Sequence, residues 1–336
     1  MGDKIVKLLF IVCGILVLLG CEELWIRQVA FSQAYPEVVL EIAWGSYGTG
    51  EGEFDYPNGI AVDSNGFIYV ADSGNSRIQK FDSNGDFILE WGSAGNEAGE
   101  FSFNESNYTN HIAIDSTDNV YVRAGSNQVH KFDSNGTYLL EWSITDVPGE
   151  KNPSLGGFSF GLDDLLYAAD GENNRVLVFD QNGVYQNQFS ARSEGEGIFS
   201  YPHDIAVSSS GHIYIVHNGG SSNTGGIVIL DSEGSYIDER MGTTYQEQPQ
   251  FIISYSYIVG LTVDADDGIV FQVNMGGDCS ILKTDLDFSF SYQLGGRSGS
   301  EEGIFNDVRD IAVDAMGNLY LADSGNHRIQ KFAPSK

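Results

Sequence analysis

Positive charge is scarce in this 336-residue chain: 17 Lys and Arg stand against 47 Asp and Glu, a formal net charge of −30. Nucleic-acid binding relies on Lys and Arg to neutralise phosphates, so no nucleic-acid partner is expected, and the same field opposes docking onto anionic lipid. Cysteine is equally sparse, limited to Cys13, Cys21 and Cys279. No nucleophile elbow, phosphate loop or paired-cysteine metal motif is present. Proline is held to 7 residues while glycine reaches 41 and aromatics 12%, a balance that suits many short strands joined by glycine turns. The 41% hydrophobic content is ample for a buried core.

Only the N-terminus carries a long apolar run. Lys4 and Lys7 precede Leu8 to Leu19, and Gly20 and Cys21 follow, the outline of a signal peptide. Leu18-Leu19-Gly20-Cys21 resembles the bacterial lipobox, which implies cleavage before Cys21 and diacylglycerol on its thiol. An uncleaved anchor or an ordinary secretory signal is the alternative. The expected layout is a lipoprotein signal peptide at 1–20, a lipid-anchored linker at 21–37 and a folded domain at 38–336. The expected location is the bacterial cell envelope, extracytoplasmic, with Glu22 hinting at the outer membrane. With Cys21 acylated, Cys279 is left alone and no internal disulfide forms, so packing must supply stability.

The rest of the chain repeats. Strand-like segments recur at Ile60–Asp63, Ile112–Asp115, Phe160–Asp163, Ile205–Ser208, Leu261–Asp264 and Ile311–Asp314. Each is followed by a turn and a second strand such as Phe67–Ala71. A third strand ends at Phe81, Phe132 or Phe179, and Asn-Gly or Glu-Gly turns open a fourth such as Phe87–Trp91. Each copy is therefore a four-stranded antiparallel meander, and one such sheet cannot bury both faces unless its neighbours pack against it. The last copy stops after its third strand, whereas Val38–Gly45 reads like a fourth strand standing ahead of the first copy. Pairing the two ends hides both edges, so the expected fold is all-β, a six-bladed β-propeller closed by its N-terminal strand.

Tyr56-Pro-Asn-Gly-Ile-Ala-Val-Asp63 and Ile68-Tyr-Val-Ala-Asp-Ser-Gly-Asn-Ser-Arg-Ile-Gln-Lys-Phe81 resemble the NHL repeat family of β-propellers. The resemblance is strongest in the first and last copies. It implies a propeller, and leaves protein binding, RNA binding, ligand sensing and lyase activity open.

Positions that recur serve the scaffold. Phe54, Phe101, Phe199 and Phe305, in Gly-x-Phe motifs, are expected to plug between blades, and Asp72 with Arg77, Asp170 with Arg175 and Asp323 with Arg328 to pair across a partly exposed turn. Positions where the copies disagree are the better guide to a site. Just before the first strands, at the mouth of the central channel on the face here termed upper, stand Asn58, Asn110, His111, His203, Asp204, Arg309 and Asp310, with Tyr56, Tyr201 and Arg123 nearby. His217 replaces the aspartate of other copies, and the hairpin is expected to set it opposite His203, where the two could hold Zn or Ca or act as acid and base. Tyr201-Pro-His-Asp-Ile205 is similar to the segment that supplies a zinc histidine in the peptidyl-hydroxyglycine amidating lyase, also a propeller. Only His203 transfers from that resemblance, and His111, offset by one residue, should point to the other side of its strand. Asp264-Ala-Asp-Asp-Gly268 has the look of a calcium loop but sits where every copy turns.

The expected function is binding of an envelope or extracellular protein, peptide or glycan by a monomer with no cofactor and no catalytic residues. A metal-dependent lyase or hydrolase is the alternative.

Overall fold

The computed structural model describes residues 38–103, 110–147, 153–190, 199–218, 225–241, 257–264, 268–275, 278–284, 290–295 and 298–334. Cys21 and the apolar leader lie outside these residues.

The described strands form an all-β propeller of four-stranded antiparallel sheets, six in number. Within each, Val, Ile, Phe and Tyr alternate so that one set packs on the preceding sheet and the other on the following one, and the central strands are buried on both sides. The first strands, Pro57–Val62, Ile112–Ile114, Leu155–Phe160, Pro202–Val207, Tyr257–Val263 and Val308–Val313, touch one another in that cyclic order, the last returning to the first. One sheet is built from both ends of the domain. Val38–Trp44 pairs antiparallel with Arg328–Pro334, Val38 opposite Pro334 and Trp44 opposite Ile329, which covers the edge that the last copy would otherwise expose.

Neighbouring sheets interlock through aromatic residues. Phe54, Phe101, Phe199 and Phe305 are buried as expected. The outer-strand tryptophans do a second job: Trp44, Trp91 and Trp142 cover the turn glycines Gly85, Gly136 and Gly183 of the next sheet. At Gly85 the backbone is left-handed (φ 81°) and an added Cβ would lie 2.8 Å from the Trp44 ring, so both conformation and space demand glycine.

The Asp–Arg pairs differ from the sequence expectation. They are not partly exposed surface bridges but buried hubs, with Asp72 at 0% exposure and Arg77 at 7%. Asp72 accepts hydrogen bonds from the Asp55 amide, Asn75, Arg77 Nε and Gln79. Arg77 in turn spends all five of its N–H groups, on Asp72, Glu90 and the carbonyls of Thr49, Gly50 and Glu53. Asp323 and Arg328 repeat the scheme, gripping the carbonyls of Ser300, Glu301 and Ile304. The pair thus holds the lead-in loop of its own blade on the upper face. Spacing reveals the pair, but burial depends on a loop some 25 residues away closing over it.

Candidate functional site at the channel mouth

The first strands surround a chamber of about 190 Å3, lined by segments such as Ile60–Val62, Ile112–Ile114 and Ile311–Val313. Above it the channel narrows to a pocket of about 10 Å3, room for about one water. Its walls are Asn58, Asn110, His111, Asp204, Gly260, Arg309 and Asp310. Six of the residues singled out from disagreement between copies therefore meet at one place.

Two carboxylates set the geometry. Asp204 accepts from the N–H of Ile205 at 2.9 Å and from that of Leu261, in the next blade, at 2.7 Å. Asp310 does the same for Ile311 at 2.9 Å and for Ile60 of the first blade at 3.0 Å. Each therefore ties two neighbouring first strands together at the channel axis. Burial pushes the Asp204 carboxyl up to about 7 and Asp310 well above the usual carboxylate range, the latter raised further by the charge of Asp204. The backbone N–H bonds oppose these shifts but do not cancel them.

His111 places Nε2 2.7 Å from the carbonyl of Phe158, so the neutral ring donates there and presents Nδ1 as an acceptor 3.9 Å from Asp310. Burial lowers its pKa to about 4, so the ring is neutral at pH 7. Asn110 donates to Ser73 Oγ of the preceding blade at 2.7 Å. Asn58 is 6% exposed, and among the described residues nothing hydrogen-bonds to its Oδ1, which leaves an acceptor for a water or a ligand group. Arg309 is held by Asp307, with Nε at 2.9 Å and Nη2 at 2.5 Å from Oδ2. Arg123 is buried and donates to the carbonyls of Gly125 and Ser126, so it braces its own turn.

The two histidines of blade 4 stand differently from expectation. His217 lies opposite Pro202, and Asp204 opposite Val216, which leaves His203 in a bulge between them. The His203 ring sets Nδ1 3.1 Å from the carbonyl of Val216 and Nε2 2.8 Å from that of Ile258, so both nitrogens face backbone. His217 sits 3.8 Å from Glu239. Burial lowers both histidines to about 4, helped at His203 by the charge of His217. Among the described residues no three His, Cys, Asp or Glu side chains converge as a metal would require.

His111 is a further correction. Counting alternation from the start of the strand turns it away from its neighbour, yet Asn110 and His111 line the same pocket, and Asp204 rather than His203 represents blade 4 there. In the blade of His111 the strand begins only at Ile112, so alternation does not set the direction of His111, while in the other five blades bulges or register shifts break it, at Pro57/Ile60, Leu155/Phe158, Pro202/Asp204, Ile258/Gly260 and Val308/Ile311. At the calcium-like segment, Asp264 accepts from the Gly268 amide at 2.7 Å and pairs with Lys283, the arrangement of a turn, while residues 265–267 lie outside those described.

Gly59 occupies the position filled by His111, Asp204 and Asp310 in other blades, and a Cβ there would lie 1.9 Å from the Asn110 carbonyl oxygen. Gly59→Ala must push two blades apart. It is expected to cost about 1–3 kcal/mol, read as a lower urea midpoint; an unchanged midpoint would show that the channel mouth yields freely.

Departures from the repeat in the lead-in loop and the turn before the third strand, Tyr47 and His327, mark one more cluster. Tyr47, Tyr56 and His327 meet on the upper face between the last and first blades, with ring centroids 4.9 Å (Tyr47 to His327) and 4.8 Å (Tyr56 to His327) apart.

The NHL repeat profile matches residues 54–81 and 305–332, the copies that contain the Asp72–Arg77 and Asp323–Arg328 hubs. Human NHL repeat-containing protein 3 is 41% identical over 303 residues, covering 82% of this chain and 78% of that protein. The chain belongs to the NHL-repeat family. The mouse protein of the same name is 23% identical over 305 residues. Protein brain tumor of Drosophila melanogaster is 26% identical over 156 residues, and the match spans only 14% of its length. Among solved structures, virginiamycin B lyase from Staphylococcus aureus has a TM-score of 0.53 at 15% identity, covering 82% of this chain and 94% of that one. XC5397 from Xanthomonas campestris, a gluconolactonase, has a TM-score of 0.57 at 12% identity, covering 90% and 98%. A Bacteroides thetaiotaomicron protein of unknown function reaches 0.63 at 16%, covering 88% and 76%. At these identities the likeness is one of fold, and NHL propellers share it with lyase and lactonase propellers.

Proposed function

We propose that this NHL protein is a non-enzymatic, six-bladed propeller, lipid-anchored through Cys21 on the outside of a bacterial cell, which binds a protein, peptide or glycan on its upper face. The observation that carries the reading is the convergence of Asn58, Asn110, His111 and Arg309 at the channel mouth, on positions that the repeat does not constrain. Asp204 and Asp310, at the same rim, join neighbouring blades through the amides of Leu261 and Ile60. The pocket is too small for a substrate, so the ligand rests on the rim, beside the Asn58 Oδ1 acceptor and the Arg309 guanidinium that Asp307 orients.

His203 supports this reading over metal catalysis, because both ring nitrogens face backbone carbonyls, so the one lone pair of the neutral ring is not turned toward an ion shared with His217. A pull-down from envelope extract with the wild type beside Arg309→Ala tests the proposal. One partner lost from the variant is the expected result; an identical set of captured proteins and glycans would overturn the upper-face site. Metal analysis of the same preparation provides the second arm, since stoichiometric zinc or calcium that disappears on His203→Ala would overturn the non-enzymatic reading.

A further inference from the structure

The upper face carries an aromatic cluster that the scaffold does not need. Tyr47 bridges to Phe54 in the lead-in loop of blade 1; the same bridge is made by Ala94 in blade 2 and Ser298 in blade 6. His327 closes the 3-10 turn Ser324–Asn326 in a left-handed conformation (φ 52°), the place taken in blade 1 by Ser76 with the same φ. Where small residues suffice elsewhere, this seam has a tyrosine and a histidine. Tyr56, also left-handed at φ 52°, completes the group.

The three rings are held in place from within. The Tyr56 amide donates to His327 Nδ1 at 3.2 Å, and Asp55 Oδ1 lies 3.8 Å from the same nitrogen. Both tyrosines stand edge-to-face with the His327 ring, at interplanar angles of 69° and 66°. Yet Tyr47 is 69% exposed and Tyr56 48%, so the apolar faces that this arrangement fixes are turned to solvent. Ordered aromatic faces in water bring no folding benefit, and they are suited to cover a ligand.

The surroundings select the ligand's charge. The loops of residues 46–56 and 298–306 carry Glu51, Glu53, Asp55, Glu301 and Glu302 and no Lys or Arg, while the next carboxylate, Asp307, is already paired with Arg309. Arg77 and Arg328, which grip these loops from beneath, are committed to loop carbonyls and to Asp72 and Asp323. Aromatic faces beside Asp55 and on loops rich in carboxylates, on a chain of net charge −30, attract a cation through both the ring quadrupole and the field.

We propose that the Tyr47–His327–Tyr56 seam is a binding subsite for lysine- or arginine-rich peptide segments, so that the partner of the upper face is a basic protein. The inference rests on the upper-face reading and names its ligand class. A basic side chain stacks on the tyrosine faces while the flanking carboxylates receive its N–H groups.

The test is a fluorescence-anisotropy titration of the purified full chain with labelled oligolysine and oligoglutamate, with maltohexaose as a neutral probe followed by calorimetry. The key variant is Tyr47→Ser with His327→Asn, residues that other blades carry at these positions, so the fold is retained. Oligolysine is expected to bind, oligoglutamate not, and the double variant to bind oligolysine about tenfold more weakly. Glu51→Gln with Glu302→Gln is expected to weaken binding further and to flatten its salt dependence. Equal oligolysine affinity in wild type and the aromatic variant would overturn the proposal, because binding would then reflect bulk charge alone. Maltohexaose binding lost in the aromatic variant would overturn it in favour of a glycan. If oligolysine fails to bind while the Arg309-dependent partner is still captured, this subsite falls and the upper-face function stands.

Discussion

Asp72→Ala is expected to remove about 3–5 kcal/mol of stability, the largest loss of any single substitution considered, because four donors lose their buried acceptor and Arg77 keeps only the exposed Glu90 as counter-charge. Asp72 has no exposed surface, and its carboxylate organises four donors. Without it Arg77 keeps its bonds to the lead-in loop but loses its buried counter-charge, and the Asp55 amide loses its acceptor at 2.7 Å. Urea denaturation read by far-UV circular dichroism would show the midpoint falling with little change in slope. Arg77→Lys should recover only part of the effect of Arg77→Ala, since one ammonium cannot reach the five acceptors that the guanidinium spans. A loss of 1 kcal/mol or less in Asp72→Ala would mean that the hub behaves as a surface pair. Blade 4 offers an internal comparison: His217 and Gly226 stand opposite one another where Asp72 and Arg77 pair in blade 1, so that sheet is built without the hub.

The second large effect concerns pH. Asp204, raised to about 7, and Asp310, raised well above its ordinary value, hold protons in the folded chain that the unfolded chain has released above about pH 4. The folded state then binds more protons, so these two groups make stability fall as pH rises from about 4 through 7. His111, His203 and His217 act in the opposite sense. Their folded values near 4 lie below the unfolded value, so the unfolded chain binds more protons between about 4 and 6.5, and stability falls on acidification through that window. In the wild type the two carboxyls offset part of the histidine effect. Asp204→Asn with Asp310→Asn removes the offset, and its stability is expected to drop more steeply between pH 6.5 and 4.5, by up to about 1.4 kcal/mol per pH unit for each carboxyl removed. Urea midpoints at a series of pH values measure this; parallel wild-type and variant curves would show that neither carboxyl titrates in the window.

Much of the fold was legible because its signals are local. Alternation in Phe67–Ala71 or Phe87–Trp91, glycine turns, and the recurrence of both every 50 residues or so are properties of short segments, and even the pairing of Val38–Trp44 with the last strand follows from a missing unit at one end and a spare at the other. The site was legible in part. Disagreement between copies found Asn58, Asn110, His111, Asp204, Arg309 and Asp310, which the structure gathers into one wall. It misjudged their roles, because a carboxylate that looks available in a loop turns out to be bonded to amides contributed by the next blade, as Asp204 is to Leu261.

The sequence by itself determined the repeat, the four-stranded unit, the charge and the plug residues, since each depends on neighbours a few positions apart. Only the tertiary structure decided which way His111, His203 and His217 face, that Asp72 and Arg77 are buried, and that Tyr47 meets His327 across the closing seam. The reason is physical. A bulge shifts side-chain direction by one residue without leaving a mark in composition, and contacts between residues some 280 positions apart exist only once the two ends of the chain have come together.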